Sequence, residues 1–146
     1  MGGGRVGARR LRRALRVVVD GAASGRVLRL EEGLSFWGGF DPRDGRVIDR
    51  HHPQCGACLA GRVVLMPRTR GSGGTPGGVA EALRLGTGPA AFVLDEPDAN
   101  IATGVLVAIA LYGTRCPVLV APAGEFAELP SSGNATIRSG GEWSGD

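Results

Sequence analysis

AFVLDEPDANIATGVLVAIALYGTRCPVLV, residues Ala91 to Val120, holds two short continuous apolar runs on either side of a longer apolar segment. Ala91-Phe92-Val93-Leu94 is too short for a helix and apolar at every position, which predicts a strand buried on both faces. Asp98 has a side chain suited to cap a helix, and Gly113 can end one in a left-handed turn. Between them, Ile101, Val105, Ala108 and Ile109 recur at helical spacing. The segment from Ala99 to about Leu111 is apolar almost all round, which predicts a largely buried helix. Pro117-Val118-Leu119-Val120 is the second buried strand. Strand, helix and strand in this order imply a parallel pair joined by a right-handed crossover.

The same rhythm extends toward the N-terminus. Thr75 is placed to cap a helix with Pro76 at its first position, running to about Leu85 and stopping at Gly86. Val63-Val64-Leu65 before it reads as a strand, so the second half is a parallel βαβαβ unit. The first half carries short strands at Val17–Val19, Val27–Leu30 and Arg46–Asp49. They are separated by the turn pairs Asp20-Gly21, Ser24-Gly25 and Asp44-Gly45. The fold class is α/β, a β-rich first half joined to βαβαβ. Residues 1–14 read as a disordered basic tail, 15–138 as the domain, and 139–146 as a polar tail. One edge strand is expected near Ala135–Ile137.

Charge separates along the chain. All 17 basic residues are Arg, and six of them fall at Arg5, Arg9, Arg10, Arg12, Arg13 and Arg16. The acidic residues begin at Asp20, so eleven Arg face fourteen Asp and Glu from residue 17 onward, a net charge of −3. Nucleic-acid binders carry their basic surface on the folded body. A basic arm on a slightly acidic body argues against that class. No apolar run reaches the roughly 18 residues that span a bilayer, so no membrane partner is expected. The three cysteines, an odd number, do not form a closed disulfide framework, and a reduced cytoplasmic setting is expected.

Arg70-Gly71-Ser72-Gly73-Gly74 leaves the carboxyl end of the first strand of the βαβαβ unit and enters a helix. Open α/β sheets place ligands at such edges, and a helix N-terminus favours an anion. The stretch lacks the Gly-Lys-Ser/Thr of a phosphate-binding loop and the glycine spacing of a dinucleotide fingerprint. A serine hydroxyl is a poor base unless arginine and backbone N–H groups stabilise its alkoxide, and this loop offers both. Other constellations are weaker. His51 or His52 with Cys55 and Cys58 offers three zinc ligands, but a second cysteine pair is absent and Cys116 stands alone. No metal site is expected. Ser72, His52 and Asp49 have the residue types of a hydrolytic triad without its Gly-x-Ser-x-Gly elbow. Leu34-Ser35-Phe36-Trp37-Gly38-Gly39-Phe40-Asp41-Pro42 is too apolar for a solvated loop. It reads either as a packed corner with Trp37 over the open end of a barrel, or as backbone approaching a ligand or a partner.

Taken together, LSFWGGFDPRDGRVIDRHHP (34–53), AGRVVLMPRTRGS (60–72), ALRLGTGPAAFVLDEPD (82–98) and GVLVAIALYG (104–113) resemble the small, swivelling-domain subunit of the aconitase X family. The resemblance covers roughly residues 17–138. It implies a swivelling β/β/α domain and a place among hydro-lyases that pair a large chain with this small one. It implies an iron–sulfur cluster held by the large aconitase X subunit and none here. It implies a small carboxylate substrate: cis-3-hydroxy-L-proline for bacterial members, mevalonate 5-phosphate for archaeal ones. Ser72 matches the family's serine base. Arg70, Gly71, Trp37, Gly38, Gly39 and His52 are the expected substrate-side residues. Family members often follow this Gly-Ser with further hydroxyl residues, where this chain has Gly73-Gly74-Thr75-Pro76. A non-catalytic interaction module that kept the fold is the alternative.

Overall fold

The computed structural model describes residues 11–70 and 73–145. The strands are β1 (Leu11–Ala14), β2 (Arg16–Val19), β3 (Ala23–Arg29), β4 (Phe40–Asp41), β5 (Arg46–Val47), β6 (Val63–Met66), β7 (Ala91–Leu94), β8 (Val118–Val120), β9 (Asn134–Arg138) and β10 (Glu142–Gly145). The helices are α1 (Thr75–Leu85), between β6 and β7, and α2 (Ala99–Tyr112), between β7 and β8.

Eight strands form one sheet in the order β1-β10-β9-β3-β6-β7-β8-β2, and β4 pairs with β5 in a separate ribbon. The pairs β3–β6, β6–β7 and β7–β8 are parallel; the last two are joined by helices α1 and α2, and the first by the segment that holds β4 and β5. The remaining pairs are antiparallel. Only Leu15 separates β1 from β2, and its N–H donates to the Gly141 carbonyl at 2.8 Å. The two ends of the strand order are thus consecutive segments of chain, and the sheet closes on itself. Closure leaves no long unpaired edge.

Two cores follow from the period of two along the central strands. Val63, Leu65, Val93 and Leu119 join Leu15, Ile137 and Trp143 in one cluster inside the closed sheet. Val64, Met66, Phe92 and Leu94 join Val79, Ile101 and Val105 in the other, under the helices. Phe36 and Phe40 complete that second core, with Phe36 edge-on to Phe92 at 5.8 Å between ring centroids. This is why β6 and β7 are apolar at every residue: each face has its own core.

Several expectations are corrected here. Leu11–Ala14 is strand β1 rather than tail, and 142–145 is strand β10 rather than a polar tail; the two pair with each other. Trp143, fully buried, anchors that end of the chain. Residues 1–10 lie outside the described residues. Thr75 does not cap α1: the N-cap is Gly74, without a side-chain bond, and Thr75 is the first helical residue, buried. Asp98 does cap α2, with its carboxylate accepting from the N–H groups of Asn100 and Ile101. Helix α2 is not buried all round. Ile101, Gly104, Val105 and Ala108 face the core, while Leu106, Leu111 and Tyr112 are exposed.

Candidate functional site at the carboxyl ends of the parallel strands

The chain leaves β6 through Pro67-Arg68-Thr69-Arg70, and the described residues resume at Gly73-Gly74, just before α1. Gly71 and Ser72 lie outside the described residues, and both ends of their loop are fixed. On the near side, Arg70 N–H donates to the Leu34 carbonyl at 3.1 Å, and Leu34 bridges Thr69 in parallel register. Thr69 donates to Asp98 Oδ2 from its N–H at 3.0 Å and from its hydroxyl at 2.5 Å. Asp98 therefore ties the loop to the N-terminus of α2. Burial opposes its charge. The bonds from Thr69, Ile101 and Asn100 outweigh that penalty and hold its carboxyl below the usual carboxylate range.

On the far side, Trp37 lies against the loop. A Cβ added at Gly74 would stand 2.4 Å from both Cβ and Cγ of Trp37, so only glycine allows that approach. Trp37 is 74% exposed, which removes the reading of a lid over the barrel end. Its turn is closed by the Ser35 hydroxyl, which donates to the Trp37 carbonyl at 2.7 Å. Gly38 has φ of 101°, open to glycine at little cost. Gly39 is tied into the loop rather than offered outward: its N–H donates to Ser35 and its carbonyl accepts from Ile48. An apolar groove of about 370 Å³ runs from Trp37 and Gly38 along Phe36 and Phe40 to the first turns of α1 at Gly77 and Gly78.

Beside Arg70 opens a cleft of about 550 Å³ walled by the segments that follow β3, β6 and β7. Four carboxylates line it, Glu31, Glu32, Asp95 and Glu96, with Arg68 and Arg70. Arg70 Nη2 donates to Glu32 Oε1 at 3.0 Å, and Arg68 stands 3.6 Å from Glu96. The lining thus carries a net charge of −2 at neutral pH. Sequence reasoning singled out Arg70 but passed over Glu31 and Glu32. A Glu-Glu pair just beyond the end of a strand was the available signal.

His52 does not line this cleft. It is buried, its Nδ1 accepts from Gln54 N–H at 3.0 Å, and its Nε2 then donates to the Glu32 carbonyl at 3.1 Å. No triad assembles through it, since the Asp49 carboxylate accepts from the His51 N–H instead. The cysteines occupy separate environments. Cys55 is exposed, Cys58 is half-buried, and Cys116 is buried with its thiol pushed up to about 12 by desolvation. Among the described residues no three His, Cys, Asp or Glu side chains are grouped to hold a metal ion, so the donors here do not fit an iron–sulfur cluster.

A closed sheet with two helices on one side, and a glycine-rich loop between a parallel strand and a helix, define a mixed α/β domain with its candidate site at the strands' carboxyl edge. The model of the aconitase X swivel domain matches residues 12–142, and the chain belongs to that family. It is 47% identical over 103 residues to the cis-3-hydroxy-L-proline dehydratase of Pseudomonas aeruginosa, covering 70% of this chain and 18% of that protein. The chain thus spans about a fifth of that relative's length. It is 40% identical over 93 residues to the phosphomevalonate dehydratase small subunit of Methanothermobacter thermautotrophicus, covering 64% of this chain and 71% of that one. The crystal structure of Thermococcus kodakaraensis aconitase X in its holo-form superposes with a TM-score of 0.78 at 25% identity, covering 91% of this chain and 96% of that one. Among the described residues, no helix is long and apolar enough to cross a membrane.

Proposed function

We propose that this chain is the swivelling subunit of a two-chain dehydratase in which Ser72 takes the proton next to the substrate carboxylate. The observation that supports this most is the anchoring of loop 70–74. Arg70 is fastened to Leu34 at one end, and Gly74 lies under Trp37 at the first turn of α1 at the other. In sequence Ser72 lies between Arg70 and the N-terminus of α1, and a guanidinium and helix N–H groups are the kinds of group that stabilise an alkoxide. In the reaction the C–H bond beside the carboxylate breaks, its proton passes to the Ser72 alkoxide, and its electron pair forms the new double bond as the hydroxyl on the adjacent carbon departs. Arg70 offsets the negative charge at the carboxylate. Trp37 and the apolar groove meet the larger chain and exclude water from the closed site. A large exposed tryptophan beside the loop is the kind of residue that anchors an interface.

The reading assigns the iron–sulfur cluster to the larger chain, where it would act as Lewis acid on the departing hydroxyl, and assigns the complex to the cytoplasm. The proposed substrate is cis-3-hydroxy-L-proline. Two observations favour it over mevalonate 5-phosphate: the higher identity to a dehydratase of that name, and the net negative cleft. Four carboxylates tolerate a zwitterion with an ammonium group far better than a phosphorylated polyanion.

The test is reconstitution with a larger aconitase X chain and assay of both compounds. Dehydration of the hydroxyproline with little turnover of the phosphate is expected. Association without turnover of either would favour a non-catalytic interaction module.

A further inference from the structure

We infer that Glu32 is the positioning residue for Arg70, and that buried His52 holds Glu32 in place. The inference rests on the proposed role of Arg70 at the substrate carboxylate and adds the residues that aim it. Arg70 follows β6 by only four residues, and its backbone is fastened through Leu34 and Thr69. Its long side chain is half-exposed and would otherwise sample many rotamers. Glu32 Oε1 accepts one bond from Nη2 at 3.0 Å, and no other described residue accepts from this guanidinium. The pair thus selects one direction for the side chain and leaves its remaining donors to a ligand.

Glu32 is aimed in turn. Its carbonyl accepts from the imidazole of His52 at 3.1 Å, and the neighbouring Glu31 N–H donates to the Gln54 side chain at 3.0 Å. His52, 3% exposed, has both ring nitrogens engaged, one with the Gln54 N–H and the other with the Glu32 carbonyl, so its ring is fixed in place. The polar segment His52–Gln54 therefore fixes Glu31–Glu32, Glu32 fixes Arg70, and Arg70 directly precedes Gly71-Ser72. A half-exposed ion pair adds little to folding, which suits a role in orientation rather than stability.

A double-mutant cycle in the reconstituted complex tests this, with cis-3-hydroxy-L-proline as substrate. Glu32→Ala is expected to raise KM on the order of tenfold with kcat within about twofold, and Glu32→Gln to recover part of the loss. In an Arg70→Ala background, Glu32→Ala is expected to have no further effect on KM. Solvent exchange of the Arg70 guanidinium protons, followed by NMR on the full chain, is expected to speed up in Glu32→Ala. An unchanged KM in Glu32→Ala, a loss that persists in the Arg70→Ala background, or unchanged guanidinium exchange would each overturn the inference. A wild-type complex inactive toward the substrate would instead fail the underlying reading, and the exchange measurement would still decide whether the pair aims Arg70.

Discussion

Replacing Asp98 by alanine removes four bonds at once and separates the loop after β6 from the start of α2. Oδ1 accepts from the N–H groups of Asn100 at 3.0 Å and Ile101 at 3.3 Å. Oδ2 accepts from Thr69 N–H at 3.0 Å and from its hydroxyl. Loss of an N-cap costs about 0.5–2 kcal/mol. Loss of hydrogen bonds to a charged acceptor costs about 1.5–3 kcal/mol. These terms share one carboxylate and do not add fully, so about 2–4 kcal/mol is expected for Asp98→Ala. For a domain of this size that is a fall in Tm of about 6–15 °C. Asp98→Asn should fall between, because an amide still caps α2 but turns N–H donors toward Thr69. The pH dependence has a definite sign. The folded-state carboxyl lies below its usual range, so its stabilisation is complete above about pH 4 and fades as pH falls through the lower folded value. Thermal melts of both proteins from pH 7 to pH 2.5 check this. An Asp98→Ala protein within about 0.5 kcal/mol of wild type at pH 7, or a gap that does not narrow below pH 3, refutes the reasoning.

Gly78→Ala should destabilise by about 1–3 kcal/mol, because its Cβ would stand 2.2 Å from the Phe36 carbonyl oxygen; chemical denaturation measures it. Gly74→Ala should shift the loop that carries Trp37 and weaken association with the larger chain, measured by a binding titration, because the added Cβ would stand 2.4 Å from Trp37 Cβ, an atom whose position the backbone sets. Titration of the native protein with a thiol reagent should modify Cys55 first and leave Cys116 unreacted until unfolding, because Cys116 is buried with a thiol pushed up to about 12.

The parts of the fold that declare themselves in sequence are local. Ala91–Leu94 and Val118–Val120 are apolar at every position because both faces are covered, and Asp98 and Gly113 bracket α2 through their own backbone chemistry. What escaped was non-local. Leu11–Ala14 is basic and Glu142–Gly145 is polar at alternate positions, so neither reads as strand alone. They form strands because each supplies the other's hydrogen bonds across the whole chain. The apolar outer face of α2 invited the inference of full burial, yet helical periodicity cannot say what covers a face. The place of the loop between β6 and α1 was legible from the apolar run before it and the glycines within it. The fastening of Arg70 by Glu32 was not, because a surface Glu pair resembles any solvated charge until the fold brings β3 and β6 side by side. His52 carried the chemistry of a site residue and proved to be a buried tie between loops, a distinction only its partners reveal.

The most direct test of the central claim is the turnover of a reconstituted complex carrying Ser72→Ala, measured beside the affinity of the two chains. The account predicts that kcat falls by about 10²–10⁴-fold, the usual loss when a general base is removed, while the chains still associate as in wild type. A complex that assembles normally and dehydrates its substrate at near wild-type rate would contradict it.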